Sequence, residues 1–312
     1  MHSKMKPLLL TLLLSTLYST NQDTNINIYT YWTAGDTQTL RIQEGYIKYE
    51  DDKVVEKDIS SITAEIMVLA ETDTTYTMRW VYKDNVVDRI NIEEDEEDVY
   101  IDKRLEEMFS EVTLEYEINE FGELKRMLNL DKVMEAMSNS LRLLIQQEMD
   151  MDNDDSGLFL EILNEMFNSE SMADEMTRDI YNYHYYHGNS FPPDTTIHYL
   201  DTIPNKLGGP SIPLTGVVTV KANSTRENIE INDLKQSDTG FVKSMTETID
   251  ALETPQSDKI KEEMENTQLS IMDIENYTYD YNLGWLRHYE RRRIRVFGNT
   301  KKEQIILMSE IK

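Results

Sequence analysis

Asp150, Asp152 and Asp154 stand at positions one, three and five of an EF-hand-like loop, and Glu161 stands at position twelve. Calcium is held by six to eight oxygens, and an EF-hand supplies them at these offsets between two helices. The frame is incomplete, because Asp155 occupies position six, where a glycine makes the sharp turn, and Gly157 falls at eight. Starting at Asp152 puts Gly157 at six but leaves Leu163 at twelve, where the bidentate carboxylate belongs. The plainer reading is a solvated helix–helix connection with Asp155 or Ser156 as N-cap. Apart from calcium at Asp150, Asp152, Asp154 and Glu161, no cofactor is expected.

His184 and His187 are three residues apart, with His198 nearby, among Tyr181, Tyr183, Tyr185 and Tyr186. Zinc would want a carboxylate at zincin spacing, and no H-E-x-x-H occurs. An aromatic patch packed between helix and sheet accounts for the stretch better, and a hydrolase reading requires the three histidines to converge. No Gly-rich phosphate loop, G-x-S-x-G elbow or kinase signature is present. Gly208-Gly209-Pro210, between Pro204 and Pro213, is turn chemistry. The chain has no cysteine, which excludes disulfides, thiol catalysis and Cys-ligated metals. These residues predict a protein that is not an enzyme.

Two compositional features remain. Of 17 methionines, eight lie between Lys125 and Asn182. Thioethers fill irregular gaps and also make adaptable faces for apolar ligands. A hydrophobic pocket between sheet and helices would be lined by Met134, Met137, Leu141 and Met166, with an ordinary helix–sheet core as the competing account. From Arg287 to Lys312 there are eight Lys/Arg and three Asp/Glu, in a chain of net charge −28. On a strand, Arg291, Arg293 and Arg295 share one face while Arg292, Ile294 and Val296 share the other. That face would meet an anionic partner or, more simply, be compensated by acidic strands such as the one near residues 93–98.

The elements that must position these residues follow from the pattern. Segments 27–32, 39–49, 62–70, 75–82 and 112–118 alternate apolar and polar residues, which predicts antiparallel strands with one wet face. From Lys125 the apolar residues fall on one helical face, and a second helix is predicted over 158–180. Strands resume at 195–200, 214–221 and 228–235, a helix is expected at 241–252 with a further helical stretch at 258–266, and strands close the chain at 268–281, 286–297 and 304–311. The N-terminus pairs His2, Lys4 and Lys6 with an apolar run at 8–14, too short to span a bilayer, and reads as a secretory leader over 1–20. No other window holds 18 uninterrupted apolar residues, so no transmembrane segment is expected in the mature chain. The acidic balance argues against nucleic acid as a partner.

The C-terminal half carries a resemblance. Ile203-Pro204-Asn205-Lys206-Leu207-Gly208-Gly209 precedes a hairpin and helix, and Tyr277-Thr278-Tyr279-Asp280-Tyr281-Asn282-Leu283-Gly284-Trp285 leads into the arginine-rich strand. This resembles a group of uncharacterised secreted bacterial envelope proteins, and the Thr33-Ala34-Gly35-Asp36 turn is similar too. The resemblance implies an open half-barrel wrapping helices, as in periplasmic lipoprotein carriers, and carries over no catalytic residue.

The expected fold class is therefore α+β: a curved antiparallel sheet, an open half-barrel, from both ends of the chain, packed against a central αα-hairpin. The expected organisation is a leader at 1–20, a β half at 21–122, the helical hairpin at 123–188 and a second β half at 189–312. The function expected is a secreted or periplasmic binding module for a hydrophobic ligand, a lipid or lipidated peptide, with that ligand or an envelope protein as partner. The alternative is an acidic structural or interaction protein, calcium-stabilised if the loop is a site.

Overall fold

The computed structural model describes residues 25–83, 112–148, 170–203, 211–222, 225, 227–237, 246 and 269–311, without the side chains of residues 141, 144–148 and 170–171. The leader, the acidic run at 93–98, the loop with Asp150, Asp152, Asp154 and Glu161, Met166, and all but Thr246 of the stretches 241–252 and 258–266 lie outside the described residues.

Among the described residues, thirteen strands and two helices follow one another as β1 (Ile26–Asn27), β2 (Thr37–Glu50), β3 (Lys53–Glu71), β4 (Thr75–Tyr82), β5 (Thr113–Asn119), β6 (Leu124–Met127), α1 (Leu130–Glu148), α2 (Glu170–His184), β7 (Ser190–Phe191), β8 (Thr195–Ile203), β9 (Ile212–Ala222), β10 (Asn228–Ser237), β11 (Leu269–Asp280), β12 (Leu286–Phe297) and β13 (Thr300–Glu310). Eleven strands form one antiparallel sheet in the order β6-β5-β4-β3-β2-β13-β12-β11-β10-β9-β8. In each half of the chain, strands that follow one another in sequence are thus neighbours in the sheet. The halves join where the last strand lies along β2, from Thr300 opposite Glu50 to Glu310 opposite Leu40.

The sheet is curved and unclosed, with β6 and β8 as its edges. Register shifts at Lys48/Tyr49, Val68/Ala70, Glu117/Ile118 and Thr278/Tyr279 add the local twist and bend that such irregularities bring to a strand pair. The β2–β3 turn places Asp51 and Asp52 at φ 47° and 62°, the left-handed pair that matches a two-residue hairpin to strand twist.

The alternation read from the sequence becomes two faces. Leu40, Ile42, Ile62, Ala64, Ile66, Val68, Met78, Trp80, Leu114 and Tyr116 point inward and are buried. Arg79–Glu115 and Arg126–Glu117 are ion pairs on the solvated outer face, at 2.8 and 3.2 Å. Such exposed pairs contribute little to stability. Helix α2 lies on the inner face and buries Met176, Ile180 and Tyr183 in the same cluster.

β3 begins at Lys53 and the last strand at Thr300, earlier than the 62 and 304 expected, and two segments differ in kind from the sequence reading. Helix was expected from Lys125, but Leu124–Met127 is strand β6 on the edge of β5, and α1 begins at Leu130. Met127 fits the helical spacing only by coincidence. The change of structure comes at Asn129, whose side-chain amide accepts from Glu115 N–H at 2.7 Å and donates to Thr113 C=O at 3.0 Å. It occupies the β5 edge where β6 stops. Residues 28–32, expected as strand, join no ladder among the described residues and are bonded instead to backbone at Gly188, Asn189 and Leu283.

Candidate functional site

The inner face carries three chemically distinct zones, the first of them aromatic. The end of α2 runs into the turn 185–188 and drives Tyr183, His184, Tyr186 and His187 into the sheet. Trp32 stacks on Trp285 with centroids 4.1 Å apart, and both histidines meet the Trp32 ring edge-on. His184 Nδ1–H donates to Gly122 C=O at 2.9 Å, which leaves Nε2 to accept from Tyr116 O–H at 3.1 Å. His187 Nε2–H donates to Gly284 C=O at 2.8 Å.

Both acceptor residues have positive φ, at 95° and 76°. A Cβ at Gly122 would overlap Thr30 and the His187 ring, and one at Gly284 would overlap the Tyr29 carbonyl, so only glycine brings these carbonyls so close. Burial first, then the neighbouring His187, holds His184 well below its ordinary value, with the bond to Gly122 opposing. Burial lowers His187 from 6.5 to about 4, against its backbone hydrogen bonds. Both rings are neutral packing elements near neutral pH.

His198 lies on β8 next to Ile197 and Tyr199, whose side chains share the face of buried Val218, so it points to the opposite face. The three histidines do not converge. Among the described residues no group of three or more His, Asp or Glu is placed to hold a metal ion.

The second zone is a polar belt across β8 to β12. Asp233 accepts from Tyr186 O–H at 3.1 Å and Tyr199 O–H at 2.6 Å, and Glu275 accepts from Tyr277 O–H at 2.8 Å. Burial and then the Asp233 carboxylate push Tyr186 above the usual phenol range, so it stays a donor. Lys235 reaches Asp201 at 3.3 Å and Glu275 at 4.0 Å. Arg293 binds Asp273 through two nitrogens at 2.7 and 2.5 Å, and Arg291 adds a contact at 3.2 Å. Burial would raise the Asp273 carboxyl, but the hydrogen bonds and charges of the two arginines outweigh it and hold it below its ordinary value.

Arg291, Arg293 and Arg295 therefore do share a face, as the alternation required, and the first two are compensated. Their partners lie on the adjacent strand β11. Arg292 on the opposite face pairs with Glu290 at 2.5 Å and Glu303 at 3.8 Å.

The third zone lies beyond the belt. Ile212 and Ile271 are buried as a small second cluster with Ile203 and Leu269 packed against them. Next to them Arg295, Lys302 and Lys48 form one cross-strand row on β12, β13 and β2.

Of the four residues expected to line a hydrophobic site, Met134 and Met137 are buried in the main cluster on the side of α1 facing β5. Leu141 belongs to α1 by its backbone, and its side chain, like Met166, is outside the described residues. The belt was missed by the sequence reading. Its signal was phase: Asp273 and Glu275 keep step with Tyr277 and Tyr279, and Asp233 and Lys235 keep step with Ile229 and Ile231. Charges in the buried phase of a strand announce internal pairing.

The fold and inner face define an α+β protein built on an open antiparallel half-barrel. No protein-family model matches the chain, and no curated protein matches it. A solved structure described as lipid–protein interactions in lipovitellin is similar at a TM-score of 0.37 and 9% identity, over 90% of this chain. The match spans 25% of that lipovitellin chain.

Proposed function

We propose that this chain is a non-enzymatic, secreted or periplasmic binding module for a hydrophobic ligand, a lipid or a lipidated peptide. The observation that carries the reading is a convergence of methionines on one side of an open sheet. Met78 of β4, Met127 of β6, Met134 and Met137 of α1, and Met172 and Met176 of α2 all join one apolar cluster. An unbranched thioether repacks around a guest at small cost, where a branched side chain would strain. The wing formed by β4 to β6 ends at a sheet edge, and α1 sits against it at β5. In this reading Met134, Met137, Leu141 and Met166 line the ligand, with α1 shifting to admit it. The leader-like N-terminus and the resemblance to envelope proteins support the location.

The test is native mass spectrometry of the purified chain, with organic extraction, followed by titration with a brominated fatty acid. Bromine quenches indole at short range, and Trp80 lies in the cluster beside Met78. A lipid-sized adduct, or saturable quenching that Met134→Gln with Met137→Gln weakens at least tenfold, is the expected result. A bare mass with no saturable quenching would overturn the reading.

A further inference from the structure

We infer that Lys48, Lys302 and Arg295 form a binding site for a phosphate group on the inner face of the central strands. Lys302 is the direct cross-strand partner of Lys48 on β2 and of Arg295 on β12. Three like charges therefore stand side by side on neighbouring strands, spaced about 5 Å apart in the hydrogen-bonding direction. Directly opposed like charges destabilise a sheet. The chain has 59 acidic residues against 31 basic ones, so carboxylates to neutralise the row are abundant in the sequence.

Among the described residues they compensate the row only at its Lys48 end. Asp273, the carboxylate nearest in register, is taken by Arg291 and Arg293. Glu56 stands opposite Lys48 at the far end of the row and also accepts a hydrogen bond from Tyr46 O–H, so it answers Lys48 and not Lys302 or Arg295. Lys48 reaches only Glu50, at 3.2 Å at the strand end, where both side chains are substantially exposed. Lys302 rests over the Tyr46 ring at 4.2 Å and, like Arg295, makes no ion pair among the described residues. Burial and then the charge of Arg293 depress the Arg295 guanidinium, with Asp273 opposing and Arg291 adding to the depression.

The surroundings fit a polyvalent oxyanion. Arg295 offers a planar fork of donors and the lysines two compact charges, a combination suited to phosphate oxygens. Ile271 stands beside Arg295 across the ladder, and Phe297, 60% exposed, shares its face two residues on. An apolar wall next to the row lowers the local dielectric and strengthens the attraction. The group would be borne by a lipid or by a small soluble molecule, and the row recognises the phosphate in both.

The site uses none of the residues proposed to line the hydrophobic ligand, so each proposal can fail without the other. Inorganic phosphate is titrated into the full chain and followed by calorimetry. In parallel, the chain is sedimented with phosphatidylcholine vesicles with and without phosphatidic acid. Saturable binding in either arm, weakened at least tenfold by Arg295→Gln or Lys302→Gln and retained in Lys301→Gln, is expected. Lys301 is on the same strand but faces outward over Tyr49, at 3.8 Å, and so controls for net charge. Binding to phosphatidic acid alone would assign a lipid phosphate, and binding of free phosphate alone a small molecule. No saturable binding in either arm, or equal weakening by Lys301→Gln in variants that melt like the parent, would overturn the inference.

Discussion

His187 is the residue where packing and protonation are most tightly coupled. Its ring sits against Trp32, Tyr183 and Tyr279 and donates to Gly284. In the unfolded chain it binds a proton near 6.5, and in the folded chain it resists protonation down to about 4. Between those values the unfolded state holds more protons, so acidification favours unfolding. The neutral ring's contribution is complete above 6.5 and lost by about 4, a difference of about 3 kcal/mol. His184 adds a loss of the same sign that also sets in as pH falls below 6.5. Asp273, held low by its arginines, stays charged through that window and gives way only below the usual carboxylate range. Melting temperature against pH should therefore fall first between 6.5 and 4. In His187→Gln that slope should be shallower, and an unchanged slope would assign the acid sensitivity elsewhere.

The element on which the site depends is α2. It meets the sheet through Met176, Ile180 and Tyr183 on one face, while Tyr181 remains mostly exposed. Arg178 anchors its flank to Glu44 of β2 and pairs along the helix with Glu175 at 2.7 Å. Fully burying one such aliphatic side chain is worth about 1.5–3 kcal/mol, and truncating it adds the cost of a cavity. Ile180→Ala should lower stability by about 2–5 kcal/mol in urea unfolding, and Tyr181→Ala by under about 0.5 kcal/mol. Equal losses would mean that α2 does not pack through that face. The same helix carries Tyr183 and His184 and leads into Tyr186 and His187, so a tilt of α2 would disturb the aromatic zone and Asp233 together.

For the whole molecule the decisive contact is the β2–β13 ladder, because it alone joins the two meanders into one sheet. Ile305 lies within it, opposite Gly45 on one side and Arg292 on the other. Proline there removes a backbone donor from a central strand and leaves a ladder hydrogen bond unmade. Ile305→Pro should reduce amide protection in β4 and in β11 together, as read by hydrogen exchange. Loss confined to β12 and β13 would show two halves that fold independently. Gly45 marks the closeness of this region, since a Cβ there would overlap the Asp58 carbonyl of β3.

Most strands of both meanders were legible in the amino-acid sequence, β6 and the first half of β3 excepted, because a sheet with one wet face writes its alternation at period two. The phase assigning Arg291, Arg293 and Arg295 to one face followed from the same rule. The β5–β6 boundary was not legible: Met127 satisfies both periods, and the side-chain bonds of Asn129 to a strand edge have no local signature. Nor could alternation name the partners of the arginines, since register between distant strands is set by packing and loop geometry. Only the tertiary structure decided that Asp273 and Glu275 answer Arg291 and Arg293. Only it placed Lys48, some 250 residues earlier in the chain, in one row with Lys302 and Arg295. Local pattern fixes which face a side chain takes, and long-range pairing fixes whose company it keeps there.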